Sequence, residues 1–151
     1  MKKLLLTFLL TIGTLSIQAQ EIRWLTLDEA LAKQKKNAKP IFMDVYTDWC
    51  GPCKMLDKNT FQDKTVADYV NANYYAVKFN AEGNSSITYK GVVYANPGFD
   101  SSRKGRNSAH DFTKFLKVAG YPSMYIIDKK GEVQEPIVGY RTPEELLPIL
   151  K

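Results

Sequence analysis

Two cysteines separated by two residues, Cys50 and Cys53, are the residues of this chain best suited to covalent chemistry. They are its only cysteines, and they lie in the stretch Trp49-Cys50-Gly51-Pro52-Cys53-Lys54. A disulfide that closes so short a loop adds little entropic stabilisation, so the pair is better suited to chemistry than to holding the fold together. If a helix begins near Cys50, the N–H groups at its N-terminus favour the Cys50 thiolate. Cys50 would then attack a substrate disulfide, and Cys53 would resolve the resulting mixed disulfide.

Two other interpretations of the cysteine pair remain open. A CxxC pair is half of a four-ligand structural zinc site, but the chain has no second CxxC and His110 is its only histidine. The pair would otherwise be an inert structural disulfide. A CxxC after an apolar strand, in a pattern of alternating strands and helices, is more typical of a redox dithiol. We therefore expect no metal site, and we expect His110 to be a polar position on a helix.

The elements that position the cysteines are a strand and the helix that follows it. The segment 41–46 is almost wholly apolar and predicts a strand covered on both faces. Asp44 in its middle is an anomaly, because burying an acid is costly. Gly51 and Pro52 suit the first turn of a helix, so the pattern places Cys50 at a helix N-terminus.

The remaining elements follow from capping residues, apolar periodicity and turn residues. In the first half of the chain, the sequence predicts a strand at 22–25, a helix capped by Thr26 that runs to about 37, the strand at 41–46, a helix at 50–59, a helix capped by Asp63 and a strand at 74–79. In the second half, it predicts a helix capped by Ser108 that runs to 117, a strand at 123–127, a turn at 128–131, a return strand at 132–138 and a helix capped by Thr142. In the helix that begins at Ser108, Phe112, Phe115 and Leu116 are expected to face inward. Strands alternate with helices in the first half, and a hairpin closes the second. This order predicts an α/β domain with a central mixed β-sheet and helices on both faces.

The N-terminal residues 1–19 have the layout of a secretory signal peptide, which leaves a domain at 20–151. Lys2 and Lys3 give a positive start, residues 4–17 are apolar apart from Thr, Ser and Gly, and Ala19 offers a small residue for cleavage. A spanning helix needs about 20 apolar residues, so a retained membrane anchor is the weaker alternative. Removal of the leader lowers the net charge from +5 to +3. That modest charge gives little reason to expect a nucleic-acid partner.

The segment 83–107 differs from the rest of the chain. It holds four of the nine glycines and carries a net charge of +3. The sequence predicts a hairpin around Lys90-Gly91, a turn at 96–98 and an exposed basic loop at 101–107. A long surface insertion costs little stability, so the segment is either a tolerated insertion or a surface that docks a partner near the rim of the active site.

The stretch Met43-Asp44-Val45-Tyr46-Thr47-Asp48-Trp49-Cys50-Gly51-Pro52-Cys53-Lys54 resembles the active-site region of the thioredoxin family. The resemblance resumes at 76–80 and at Gly120-Tyr121-Pro122-Ser123, and it leaves out 83–107. Thr60-Phe61-Gln62-Asp63, followed by Val66, is closer to secreted and membrane-linked thioredoxin-like reductases. The resemblance implies a thioredoxin fold, with an insertion before the helix that precedes the cis-proline strand.

The resemblance also implies roles for single residues. Asp44 matches the buried acid behind the active site, where burial raises its pKa and lets it accept the Cys53 proton. The alternative is that Asp44 only satisfies a local hydrogen bond. Lys78 matches the lysine that tunes the pKa of this acid. Without the resemblance, a lysine at this position would be interpreted as a solvated charge at the end of a strand.

Four further residues are implied to contact the substrate together with Tyr121, whose backbone pairs with the substrate chain. Pro122 matches the cis-proline beside the cysteines. The other three are Trp49, Gly51 and Pro52.

These inferences predict an exported, periplasmic thiol–disulfide oxidoreductase, monomeric, that acts on protein disulfides. Gly51-Pro52 between the cysteines resembles reducing thioredoxins, with potentials of about −270 mV against about −120 mV for a strong periplasmic oxidant. We therefore expect a reductase. The chain lacks the GxGxxG fingerprint of nucleotide binding, so we expect no cofactor and a membrane or exported protein as electron donor. The alternatives are a disulfide oxidant or isomerase, or a binding module with slow redox turnover.

Overall fold

The computed structural model describes residues 21–151, so the predicted leader at 1–19 lies outside the described residues. Within this range the elements are β1 (Trp24–Leu25), α1 (Leu27–Lys36), β2 (Ile41–Tyr46), α2 (Gly51–Leu56) continued by a π-helical turn (Asp57–Phe61), α3 (Lys64–Asn73), β3 (Tyr75–Asn80), β4 (Ile87–Tyr89), β5 (Val92–Tyr94), α4 (Asp111–Phe115), β6 (Ser123–Ile127), β7 (Ile137–Val138) and α5 (Pro143–Leu150).

Five of the strands form one sheet in the order β1-β3-β2-β6-β7. The first three run parallel to one another, whereas β6 is antiparallel to β2, and β7 is antiparallel to β6. The central strand β2 is buried on both faces, as its apolar sequence predicts. This mixed sheet, flanked by helices, confirms the predicted fold class.

The two faces of the sheet carry separate cores, because side chains alternate along each strand. In β2, Met43 and its odd-numbered neighbours pack with α1 and α4, and Phe42 packs with α2, α3 and α5. By the same alternation, Asp44 lies on the Phe42 face. Lys78 is its register partner in β3, so the sheet places the two charged side chains side by side.

Helix starts were predicted from capping residues, and three of them are confirmed. Thr26 and Thr142 each form a capping box, and the Asp63 carboxylate accepts a hydrogen bond from the Val66 N–H. These signals were reliable because a cap and its partners lie within a few residues of each other.

The 83–107 segment divides into a hairpin and a loop. β4 and β5 pair across Lys90-Gly91, where both residues have positive φ, as a tight two-residue turn requires. Ile87 and Tyr89 are buried in the main core, so the hairpin is part of the domain rather than an appendage. Residues 101–106 are exposed. The Asn96 side chain holds the base of the segment by donating to the carbonyls of Gly83 and Ser108.

The helix predicted from Ser108 to 117 is wrong in its start, its length and one of its faces. α4 has five residues and is capped by His110, whose Nδ1 accepts a hydrogen bond from the Phe112 N–H at 3.0 Å. Nε2 therefore carries the proton and donates to the Ser85 carbonyl at 2.6 Å. His110 is fully buried instead of a polar helix position, and Phe115 is 46% exposed instead of facing inward.

The return strand predicted at 132–138 is also shorter than expected. Only Ile137–Val138 forms β7, with an isolated bridge between Val133 and Ile127. Pro136 interrupts the segment, because proline has no N–H to donate to a ladder. The other strand boundaries differ little, since β2 and β6 match the prediction, β3 is displaced by one residue, and β1 begins at Trp24 rather than 22.

Candidate functional site

Cys50 lies where β2 passes into α2. It is the N-cap of the helix, and its N–H donates to the Thr47 carbonyl at 3.2 Å. Its Sγ accepts a hydrogen bond from the Cys53 N–H at 3.2 Å. This is the position predicted from the sequence, and a backbone N–H directed at sulfur favours the thiolate of the reduced form.

The two cysteines are joined in a disulfide, with their Cα atoms 5.3 Å apart. Cys50 is 3% exposed and Cys53 is 2% exposed. Gly51 and Pro52 between them are exposed. A partner therefore meets the Gly-Pro turn first and reaches the sulfur atoms beside it.

Asp44 is completely buried behind this helix. Lys78 Nζ donates to its Oδ2 at 2.7 Å, whereas Oδ1 has no hydrogen-bond partner among residues 21–151. Burial raises the pKa of Asp44 to about 6, although the charge of Lys78 opposes that shift. The group can therefore take up and release a proton near neutral pH.

Asp57 is a half-exposed member of this charged cluster that the sequence analysis missed. It lies in the π-helical turn, and it forms a second ion pair with Lys78. Burial lowers the pKa of Lys78, but the charges and hydrogen bonds of Asp44 and Asp57 outweigh that effect, so the pKa is raised. The lysine stays charged and is shared by two acids.

Three aromatic rings enclose the same ammonium group. Lys78 Nζ lies 5.1 Å from the ring centroid of Trp24, 4.9 Å from that of Tyr46 and 5.3 Å from that of Phe61. Cation–π attraction therefore holds the lysine in place from several sides.

The spacing of Asp57 four residues after Cys53 was a signal for its position, because residues four apart lie on one face of a helix.

Tyr121 and Pro122 are placed next to this centre by the start of β6. The peptide bond between them is cis, as the resemblance implies. The Tyr121 ring packs edge to face against Trp49 at 5.8 Å between centroids. Among the described residues, the backbone N–H and carbonyl of Tyr121 make no hydrogen bond. These two groups are free to pair with an incoming chain.

Within residues 21–151, no three His, Cys, Asp or Glu side chains come together in a way that would hold a metal ion. The same residues include no helix long and apolar enough to cross a membrane. The chemistry that the site can perform with its own residues is thiol–disulfide exchange with a nearby proton acceptor.

Comparison with known proteins agrees with this geometry. The profile of the Thioredoxin-like domain family matches residues 27–151. The thiol:disulfide interchange protein DsbD of Salmonella paratyphi A is 30% identical over 110 residues, which cover 72% of this chain and 15% of that protein. The chain thus spans about a seventh of the length of this relative.

Two solved structures show the same fold. A putative disulphide-isomerase from Bacteroides thetaiotaomicron is 32% identical, with a TM-score of 0.60 over 87% of this chain and 93% of that one. A thioredoxin from Thermus thermophilus is 16% identical and has a TM-score of 0.63 over 87% of this chain and 85% of that one. The second likeness concerns the fold alone.

Proposed function

The chain belongs to the thioredoxin-like domain family of thiol–disulfide oxidoreductases, and on that premise we propose that it reduces disulfides in exported proteins. The observation that carries the proposal is the Cys50–Cys53 disulfide at the N-terminus of α2, with a buried carboxylate oxygen of Asp44 left free behind it. Asp44 lies on the sheet face that α2 covers, and a purely structural disulfide has no need of a proton acceptor on that side of the core.

The reaction transfers two electrons to the substrate, whose two thiolates take up one proton from solvent and one that Cys53 gives up by way of Asp44. In the reduced protein, the Cys50 thiolate attacks one substrate sulfur, the substrate S–S bond breaks, and the leaving thiolate takes a proton. Asp44 then accepts the proton of Cys53, whose sulfur attacks Cys50 and releases the second substrate thiolate. The products are the reduced substrate and the Cys50–Cys53 disulfide.

The surface around Cys50 supports docking of an extended substrate segment. The free N–H and carbonyl of Tyr121 would pair with the substrate backbone as an added strand does. Pro122, Trp49, Gly51 and Pro52 would line the contact. Trp49 is 36% exposed beside a cysteine that is nearly buried, so the indole is well placed to touch the partner.

The direction of electron flow is assigned from the residues between the cysteines. Gly51-Pro52 is the pair of reducing thioredoxins, whose potentials are about −270 mV, against about −120 mV for a strong oxidant. The oxidised protein must be reduced again, and we assign this role to a dithiol carried by a membrane or exported protein. Export itself rests on the leader-like residues 1–19.

A disulfide isomerase is the second candidate, since the protein from Bacteroides thetaiotaomicron that is 32% identical carries that description. An isomerase needs a less reducing pair than a reductase, because it must leave its substrate oxidised. The equilibrium potential therefore separates the two functions.

Two measurements test the proposal. Reduction of insulin with dithiothreitol as donor should be accelerated by the protein and by none of the Cys50→Ser, Cys53→Ser or double variants. The equilibrium redox potential should lie near −270 mV. It is measured by following Trp49 fluorescence in dithiothreitol buffers, and Trp49→Phe is the control for the signal. A potential near −120 mV would instead identify an oxidant, and repair of scrambled disulfides without net reduction would identify an isomerase.

A further inference from the structure

Glu82 connects the 83–107 segment to the tryptophan that precedes Cys50. One of its carboxylate oxygens accepts a hydrogen bond from Trp49 Nε1 at 2.9 Å and another from the Asn107 N–H at 2.8 Å. The start of the segment, its end and the active-site indole therefore meet at a single oxygen atom. No local sequence pattern indicates this contact.

Arg106 covers the face of the same indole. Its guanidinium carbon lies 4.3 Å from the centroid of the Trp49 ring, a cation–π contact. Arg106 forms no ion pair among residues 21–151, so the N–H edge of its planar guanidinium is open to a partner. Such an edge matches the two oxygens of a carboxylate.

The loop that carries Arg106 has a defined shape. Asn107 Oδ1 accepts from the Asp100 N–H at 3.0 Å, and Asn107 Nδ2 donates to the Asp100 carbonyl at 2.8 Å. Asp100 in turn accepts from the N–H and hydroxyl of Ser102. The loop is therefore closed at its base, and Arg106 is the cation that it places over Trp49.

The three cations of the loop form no ion pairs within the described residues. Arg103, Lys104 and Arg106 are exposed, and none of them forms an ion pair within 4 Å with another residue in the 21–151 range. The neighbouring acids accept hydrogen bonds from neutral groups, since Glu82 accepts the two bonds given above, Asp48 accepts from Asn80 Nδ2 and Asp100 accepts from Ser102. A cleft of about 250 Å³ beside Trp49 is lined by these three acids and by Arg103, and Arg106 lies over the indole.

We propose that Arg106, assisted by Arg103 and Lys104, selects protein substrates whose disulfide is flanked by acidic residues. The inference rests on the proposed function, because it names the substrate class of the Cys50–Cys53 pair. A substrate strand paired with Tyr121 crosses Trp49, and its next residues meet the guanidinium edge of Arg106. Carboxylates at those positions gain charge-assisted hydrogen bonds, whereas lysines meet like charge.

The experiment uses three cyclic peptides that share one disulfide and differ only in whether glutamate, serine or lysine flanks the cysteines. Each peptide is mixed with reduced protein, the reaction is quenched with acid, and the thiols are alkylated and counted. Rates with free dithiothreitol correct for the intrinsic reactivity of each peptide. The measured quantity is the ratio of corrected second-order rates, glutamate over lysine.

We expect a glutamate-over-lysine rate ratio of about 10 for the wild-type protein, about 3 for Arg106→Gln and near 1 for the triple variant R103Q/K104Q/R106Q. A decrease of about threefold for one removed charge is the size typical of exposed charge pairs. Arg106→Lys should give an intermediate ratio, since it keeps the charge and loses the planar guanidinium that can pair with both carboxylate oxygens. Lys129→Gln, which removes the same charge from the exposed turn after β6, should leave the ratio unchanged. Raising the salt concentration should bring the wild-type ratio toward 1.

Failure of this inference is distinguishable from failure of the proposed function. If the wild type reduces insulin but treats the three peptides alike, or if Arg106→Gln keeps the wild-type ratio, the selection of acidic substrates is refuted while the reductase stands. If the protein reduces neither insulin nor any peptide, the proposed function is refuted, and the inference that rests on it falls as well. A change in folding alone would alter all three peptide rates together and leave their ratio unchanged.

Discussion

One carboxylate oxygen of Asp44 is bonded to Lys78 and the other is free, and both are fully buried among the described residues. This division gives the residue two properties that can be measured separately. The free oxygen can accept a proton, and the burial makes the charged form costly. Kinetics report the first property, and the pH dependence of stability reports the second.

Asp44→Asn removes the proton acceptor while keeping the shape of the side chain. We expect attack by Cys50 on a substrate disulfide to stay within a few-fold of the wild-type rate, and decay of the mixed disulfide to slow by about 100-fold. Stopped-flow mixing with quenching at intervals separates the two steps. An unchanged decay rate would exclude Asp44 as the acceptor.

The same substitution changes how stability depends on pH. Because burial raises the pKa of Asp44 from 3.8 to about 6, the folded protein binds this proton more tightly than the unfolded chain. The resulting stability is fully present below pH 4 and is lost as the pH rises through 6, a loss on the order of 2–3 kcal/mol. Asp44→Asn should therefore be more stable than the wild type at pH 7.5, with a smaller advantage at pH 4.5. Urea unfolding at both values tests this, and an advantage independent of pH would contradict it.

The two cysteines should differ in reactivity once they are reduced. Cys50 is the N-cap of α2 and lies beside the exposed Gly51, whereas Cys53 is inside the helix. Iodoacetamide at pH 7 should therefore label Cys50 first. Cys53→Ser should trap mixed disulfides with protein substrates and Cys50→Ser should trap none, as judged by non-reducing electrophoresis. Faster labelling of Cys53 would reverse the assigned roles.

Among the elements, α4 depends most on a single side chain. Its five residues are too few to form a stable helix alone, and the buried imidazole of His110 both caps it and binds the Ser85 carbonyl. The helix is thus held to the start of the 83–107 segment from inside the core.

His110→Ala should lower the free energy of unfolding by about 3 kcal/mol, because it loses the cap, leaves a cavity and leaves the Ser85 carbonyl without its donor. His110→Asn should recover part of the loss, since asparagine is a good N-cap. Lys114→Ala, at an exposed position of the same helix, is the control and should cost less than 0.5 kcal/mol, the usual size for a surface change. Denaturant unfolding measures all three variants. A loss below 1 kcal/mol for His110→Ala would show that α4 is held by its aromatic contacts instead.

At the scale of the whole molecule, the 83–107 segment contributes unequally to stability and to partner contact. The hairpin 87–94 buries Ile87 and Tyr89 in the main core, whereas residues 101–106 are exposed above Trp49. The hairpin therefore belongs to the folding unit, and the loop belongs to the recognition surface.

Replacing residues 101–106 with two glycines should lower the melting temperature by only a few degrees, because the loop buries little apolar surface. Reduction of a small neutral disulfide should persist, and turnover of the natural protein partner should fall. Removing 86–95 should instead prevent folding, since it opens the core. Circular dichroism and activity on both substrate types measure these effects. Equal loss of both activities in the loop variant would indicate a structural role, and loss of neither would indicate a tolerated surface insertion.

The sequence by itself determined the features that depend on neighbouring residues. The strand 41–46, the start of α2 at the CxxC, the caps at Thr26 and Thr142 and the turn at Lys90-Gly91 were all predicted, because each is set by contacts within a few residues. The resemblance to a known family added Lys78 and the cis bond before Pro122, which local patterns alone do not reveal.

Tertiary structure alone decided the contacts that join distant segments. Asp57 and Lys78 are 21 residues apart, His110 and Ser85 are 25 apart, and Trp49 and Glu82 are 33 apart. Whether such pairs meet depends on how strands β2 and β3 align and on which face each helix covers, and no local pattern encodes either. The same reason explains why the sequence analysis expected Phe115 to face inward and His110 to be a polar position on a helix. In the fold, the buried imidazole of His110 packs against Phe79 of β3, whereas the Phe115 ring packs against Tyr89 and Tyr94 of the hairpin and stays 46% exposed.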